Sequence, residues 1–122
     1  MDGRKALITG ASLGLGRAMA ERFAGAGAEV AIVARRSEIL DTARFEIKQK
    51  TGVTVACVPG DVSTADGCQA AYEAAREAMG QVDVLVNNAG SSQRGPFIEV
   101  TDEIWQADID LKLFAAIRLG RL

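Results

Sequence analysis

The first chemical signal lies near the start of the chain, in Thr9-Gly10-Ala11-Ser12-Leu13-Gly14-Leu15-Gly16. Its glycines fall in a G-x-x-x-G-x-G spacing. A short apolar run precedes them and a stretch of helical periodicity follows. A strand, a glycine turn and a helix N-terminus together make an anion site, because free N–H groups and the helix dipole face the ligand. A pyrophosphate can approach closely only where side chains do not obstruct it. In this reading Gly10 permits the tight turn, Gly14 the close approach, and Gly16 close packing of helix on strand. Ser12, Leu13 and Leu15 complete the turn and belong to the same expected ligand contact.

The elements that would position this turn are legible as two alternating patterns. Short apolar runs occur at Ala6–Thr9, Glu29–Ala34, Val53–Val58 and Val82–Val86. Near-continuous apolar strands of this length suit a parallel sheet buried on both faces. Helical stripes separate them: Leu15, Ala18, Met19, Phe23 and Ala26; then Ile39, Leu40, Ala43 and Ile47; then Cys68, Ala71, Tyr72, Ala75 and Met79. Gly52 and Gly80 are expected to end the second and third helices. Ser63 with Asp66 predicts a variant capping box for the third. A fourth helix is expected from about Thr101 or Asp102 to the end.

Such alternation predicts right-handed βαβ units, hence an α/β doubly wound parallel sheet with strand order beginning 3-2-1-4. Ligands then sit beyond the carboxyl ends of the first and fourth strands. Residues 1–122 are expected to form a single dinucleotide-binding domain.

Composition narrows the classes further. The 122 residues are 48% hydrophobic and 25% charged, with a net charge of -2. That is ordinary globular composition, with no basic footprint for nucleic acid and no polybasic membrane patch. There is no histidine, which excludes His-ligated metal and Ser-His-Asp or Cys-His catalysis within this chain. The two cysteines cannot alone build a tetrahedral zinc site, so no metal is expected. They also make a poor disulfide framework, which favours a reducing, cytoplasmic setting. The start, Met1-Asp2-Gly3-Arg4-Lys5, leads into a short apolar run, so no signal peptide is expected. No apolar run approaches the ~18 residues of a membrane span.

The motifs resemble those of the short-chain dehydrogenases/reductases. Thr9 to Gly16 is similar to that family's TGxxxGxG motif. Asn87-Asn88-Ala89-Gly90, directly after the fourth run, resembles its NNAG motif, and Asp61-Val62 its adenine-contacting pair. The resemblance implies a Rossmann fold and hydride transfer between a nicotinamide cofactor and an alcohol or carbonyl. It implies that Asp61 and Val62 hold adenine, and that Asn87, Asn88, Ala89 and Gly90 flank the ribose. Asparagine at Asn87 and Asn88 could equally satisfy strand-end backbone groups, since its amide is donor and acceptor.

NAD-binding members carry an acid at the end of the second strand. Here Ala34 stands there, followed by Arg35 and Arg36. An arginine can grip a 2′-phosphate bidentately. Ser12 could add a hydroxyl donor and Arg17 a further positive charge, so NADP(H) is expected over NAD(H).

Family catalysis resembles general acid catalysis by a tyrosine, whose pKa a lysine four residues on lowers, with a serine orienting the carbonyl. None of the three is found in matching context here. Tyr72 with Arg76 mimics the pair, yet it precedes the Asn87–Gly90 segment and lies on an apolar stripe, so it reads as core. Ser91 and Ser92 follow the fourth strand too closely. Counting from Trp105, Lys112 stands where the family has its relay asparagine. No catalytic residue is therefore assigned. Only Ser91 to Phe97 would border a substrate pocket.

The final helix is apolar nearly all round, which predicts burial against missing parts of the same chain or, as the family implies, against a second copy in a homodimer or homotetramer. With the fourth strand left as an edge, the chain is expected to be incomplete as an enzyme. Two rival readings stand beside the oxidoreductase. One is a nucleotide-binding module without catalysis. The other is a methyltransferase-like domain, whose first motif usually carries an acid near the glycines that Leu13 and Leu15 do not supply.

Overall fold

A computed structural model of the chain describes residues 2–11, 14–88, 102–103, 106 and 115–122. In chain order the elements are β1 (Lys5–Thr9), α1 (Gly14–Gly25), β2 (Glu29–Ala34), α2 (Ser37–Thr51), β3 (Ala56–Pro59), α3 (Ala65–Met79), β4 (Val84–Val86) and α4 (Ala115–Arg121). Asp102, Glu103 and Gln106 are also helical; with α4 they account for the described part of the expected fourth helix, and 104–105 and 107–114 lie outside the described residues.

The four strands form one parallel sheet in the order β3-β2-β1-β4. Ile8 lies opposite Ile32 on β2 and Val86 on β4, and Val33 lies opposite Val58 on β3. This is the doubly wound order expected from the alternating runs. Side chains alternate across the sheet. Ile8, Val30 and Ile32 face Ala20, Ala24, Leu40, Ala43 and Ile47 of α1 and α2. Leu7, Ala31, Val33 and Val58 face Cys68, Ala71, Ala75 and Met79 of α3 and Leu119 of α4. Both faces are covered, which is why the strands read as continuous apolar runs.

Four local readings need correction. In α1 the buried residues are Gly16, Ala20 and Ala24, while Leu15 is 70% exposed and Ala18 and Ala26 are also exposed. Met19 and Phe23 only flank the core. Close contact with the sheet selects the small side chains, so the buried stripe is rotated from the most hydrophobic one. β3 starts at Ala56 rather than Val53, because pairing with β2 begins at Ala31↔Ala56. Before it, the Val53 amide donates to Thr51 Oγ1 at 3.1 Å. β4 starts at Val84 rather than Val82, since Asp83 uses its carboxylate as well as its backbone on Lys5. The Lys5 amide donates to Asp83 Oδ2 at 3.1 Å, and the Asp83 amide to the Lys5 carbonyl at 2.8 Å. Finally, α3 is capped by Thr64, whose Oγ1 accepts from the Gly67 amide at 2.9 Å, and not by Ser63. Ser63 is engaged by Asp61 instead.

The other helix ends are as expected. Gly52 caps α2 in the left-handed region, its amide donating to the Lys48 carbonyl at 2.8 Å, and the Gly80 amide closes α3 on the Arg76 carbonyl. Tyr72 packs against the α3 core cluster, as its place on the stripe predicted.

Candidate functional site

The carboxyl ends of β1 and β4 meet under the N-terminus of α1. Thr9, the last residue of β1, is 2% exposed although polar. Its Oγ1 donates to the Val86 carbonyl at 3.4 Å and accepts from the Asn88 amide at 3.1 Å. A buried hydroxyl needs such partners, and here they stitch the end of β1 to the exit of β4. Asn88 continues the seam, its Nδ2 donating to the Gly10 carbonyl at 3.2 Å. The Gly10 amide donates to the Val33 carbonyl of β2 at 2.8 Å. The turn is thus fixed to three strands.

The glycines of the turn answer different demands. Gly10 has φ 66° and Gly14 φ 62°, left-handed values that glycine adopts without strain. A Cβ built on Gly14 would meet nothing within 4 Å. A Cβ on Gly16 would overlap the Asn88 amide nitrogen and lie 2.5 Å from the Gly10 carbonyl oxygen. One glycine therefore faces open space at the start of α1, and another seats α1 against the seam. Ser12, Leu13, Ala89 and Gly90 lie outside the described residues. Leu15 projects from the first turn of α1, and Asn87 is exposed.

Beyond β2, Ala34 accepts from the Gly60 amide at 2.9 Å through its carbonyl, joining the exits of β2 and β3. Arg35 and Arg36 follow, both exposed. Arg36 Nε lies 3.5 Å from Glu38 Oε1. Glu38 itself is held below the usual glutamate range, first by a backbone hydrogen bond and then by Arg36. Arg17 contributes no free positive charge to this end: it is ion-paired with Glu46 of α2 and with Glu21, the latter at 3.6 Å.

The turn after β3 is built from polar side chains. Asp61 Oδ1 accepts from the Ser63 hydroxyl at 2.6 Å and from the Ser63 amide at 3.0 Å. The hydroxyl, then the amide, hold the Asp61 carboxyl below the usual aspartate range. Partial burial opposes this, and the positive charge of Arg35 adds to it. Val62 is 5% exposed and its side chain serves the core beside α3. The Cys68 thiol donates to the Val62 carbonyl at 3.2 Å. Burial pushes the Cys57 and Cys68 thiols up, which suits packing rather than nucleophilic chemistry.

The expected residues therefore gather at the carboxyl end of the sheet: Gly10, Gly14, Gly16 and Asn88 around the β1/β4 crevice, Arg35, Arg36, Asp61 and Val62 around the exits of β2 and β3. The open space at Gly14 leaves the N-terminus of α1 free of an obstructing side chain there, which suits an anion, and the exposed arginines suit a second one further along the sheet. Sequence reasoning placed Thr9 only in the glycine motif and Ser63 only as a helix cap, and gave Arg118 no role. A polar residue ending an apolar strand was the available signal for Thr9. Among the described residues no cluster of three metal-ligating side chains is present, and no helix is long and apolar enough to cross a membrane.

Comparison with known proteins gives this geometry a family. Residues 4–122 match the short chain dehydrogenase family model. Nodulation protein G of Rhizobium sp. (strain N33) is 37% identical over 121 residues, covering 99% of this chain and 48% of that protein. The crystal structure of L-sorbose reductase from Gluconobacter frateurii, complexed with NADPH and L-sorbose, superposes with a TM-score of 0.93 at 43% identity. It covers 99% of this chain and 46% of that one. A short chain dehydrogenase from Burkholderia cenocepacia J2315 in complex with NADP gives a TM-score of 0.90 at 31% identity, covering 98% and 49%. The chain spans about half the length of the relatives it matches. A family match running from Arg4 to the last residue, on a sheet of the same order, admits one conclusion: this chain belongs to the short-chain dehydrogenase/reductase family.

Proposed function

We propose that this chain is the cofactor-binding domain of an NADP(H)-preferring oxidoreductase that moves hydride between the nicotinamide and an alcohol or carbonyl substrate. The observation that carries the reading is the open space at Gly14, the first residue of α1, in a turn whose Gly10 is pinned to the Thr9–Asn88 seam. Gly10, Ser12, Leu13, Gly14, Leu15 and Gly16 would receive the pyrophosphate. Arg35, with Ser12 and Arg36, would hold the 2′-phosphate. Asp61 would accept from the adenine amine, with Val62 beside it supplying backbone. Asn88, Ala89 and Gly90 would flank the ribose. The bound cofactor supplies the hydride, and this chain's residues bind and orient it.

The preference for NADP(H) rests on Ala34 in place of an acid and on the exposed arginines that follow it. Solved relatives carrying NADPH and NADP support it, and the sorbose complex supports a small polyhydroxy or carbonyl compound as substrate. A cytoplasmic homodimer or homotetramer is the assembly that goes with this reading.

The test is fluorescence titration of the full-length protein with NADPH and NADH, followed by a carbonyl-reduction assay. NADPH binding at least tenfold tighter than NADH, with turnover, is expected. NADPH binding without turnover of any carbonyl would favour a binding module. Competition by S-adenosylmethionine would favour a methyltransferase-like site.

A further inference from the structure

The turn after β3 is held from two sides. From within, Thr64 Oγ1 donates to the Asp61 carbonyl at 3.3 Å and accepts from Gly67, so the turn folds down on the first turn of α3. A Cβ on Gly67 would overlap the Asp61 carbonyl, so the two segments touch backbone to backbone. From outside comes Arg118 of α4, whose Nη1 donates to the Ser63 carbonyl at 3.1 Å. Ser63 therefore carries a long-range tether on its carbonyl and both Asp61 hydrogen bonds on its amide and hydroxyl.

Burial already docks α4. Leu119 is 5% exposed and sits in the core beside α3. Arg118, its neighbour, adds direction rather than area: a charged donor bound to one backbone oxygen of the Asp61 turn. Its bond crosses 55 residues of sequence, from a helix near the end of the chain to a turn in its middle.

We propose that Arg118 is a positioning residue of the adenine-binding turn, holding Ser63 so that the Asp61 carboxylate faces the adenine end of the dinucleotide. This rests on the dinucleotide reading above. Asp61 is the group that touches the ligand, and Arg118 acts through Ser63. The consequence is selective. Loss of Arg118 loosens the grip on the adenine half and leaves the nicotinamide half, held at the β1/β4 crevice, as it was.

The experiment uses Arg118→Met and Arg118→Gln in the full-length protein. Equilibrium binding is measured for NADPH, for 2′,5′-ADP (the adenine half alone) and for reduced nicotinamide mononucleotide. Charged hydrogen bonds to backbone are strong enough that partial loss weakens binding about three- to tenfold. That loss is expected for NADPH and 2′,5′-ADP, with the mononucleotide unchanged and binding restored by Arg118→Lys. Unchanged 2′,5′-ADP binding, or an equal loss for all three ligands, overturns the proposal. So does failure of both neutral variants to fold, which would make Arg118 a support of the whole fold. If wild-type protein binds neither NADPH nor 2′,5′-ADP, the dinucleotide reading itself falls.

Discussion

Two turns at the carboxyl end of the sheet are made rigid in opposite ways. The turn after β1 depends on its glycines: Gly10 and Gly14 take left-handed values and Gly16 leaves no room for a Cβ, while Thr9 and Asn88 pin its ends from the strands. The turn after β3 is held by side chains on backbone, with Asp61 on Ser63, Thr64 on Gly67 and Arg118 on Ser63. Under the proposed function the first turn would meet a diphosphate through backbone N–H groups, which side chains would obstruct, and the second would aim one acceptor at an adenine edge. Added atoms should therefore damage the first, and deleted atoms the second.

The largest effect is expected at Gly16. Gly16→Ala gains about 1 kcal/mol of helix propensity. Against that, its Cβ meets Asn88 and the Gly10 carbonyl, and overpacking costs about 1–3 kcal/mol, so the net change is destabilising. Gly16→Val should be worse, lowering the melting temperature and NADPH affinity together. Gly14→Ala separates the two effects, since its Cβ meets open space and the left-handed backbone alone costs about 1–2 kcal/mol. It should lose NADPH binding while keeping most of its stability. Equal melting temperatures for Gly14→Ala and Gly16→Val would break the comparison.

Arg35→Ala comes next, outside both turns but beside the second. Charge-assisted hydrogen bonds contribute about 1.5–3 kcal/mol. NADPH should bind roughly ten- to a hundredfold more weakly by the same arithmetic, with NADH nearly unchanged. Equal losses for both would remove the 2′-phosphate from Arg35.

Thr64→Ala deletes a cap from the braced turn and should cost about 1 kcal/mol in urea unfolding. Ser63→Ala should cost less stability, because Ser63 is not the cap, while weakening 2′,5′-ADP binding through Asp61. The reverse ranking would restore Ser63 as the cap.

The difference between the turns also governs what could be read in advance. β-branched runs and glycine spacing are local signals, so the strand order and the glycine turn were legible. The Gly16–Ala20–Ala24 stripe was not, because the eye follows hydrophobicity to Met19 and Phe23, whereas close approach to the sheet selects small residues. Ser63 resembled a cap because Asp66 stands three residues on, but the Asp61 carboxylate two residues before it takes the Ser63 amide and hydroxyl. Arg118 gives no local signal, since its partner lies 55 residues away.

The smallest effect is in the pH dependence of the braced turn. Ser63 holds the Asp61 carboxyl below its usual value, so the folded state prefers the ionised form. A group whose folded pKa is lowered stabilises the fold above its unfolded value, about pH 4. That contribution is lost as pH falls from there through the lowered folded value. Asp61→Asn keeps an acceptor for Ser63 but cannot titrate. Wild-type protein should therefore lose its advantage over Asp61→Asn below about pH 4, and the two stability curves should run parallel between pH 5 and 7. Urea midpoints across that range measure it. The effect is small because Asp61 is only partly buried and solvent screens it. Ser63→Ala should reduce the divergence, because it removes the strongest cause of the shift, while Arg35→Ala, which removes the weakest, should reduce it less. A larger change from Arg35→Ala would mean that charge, rather than the hydrogen bonds of the brace, holds Asp61 ionised.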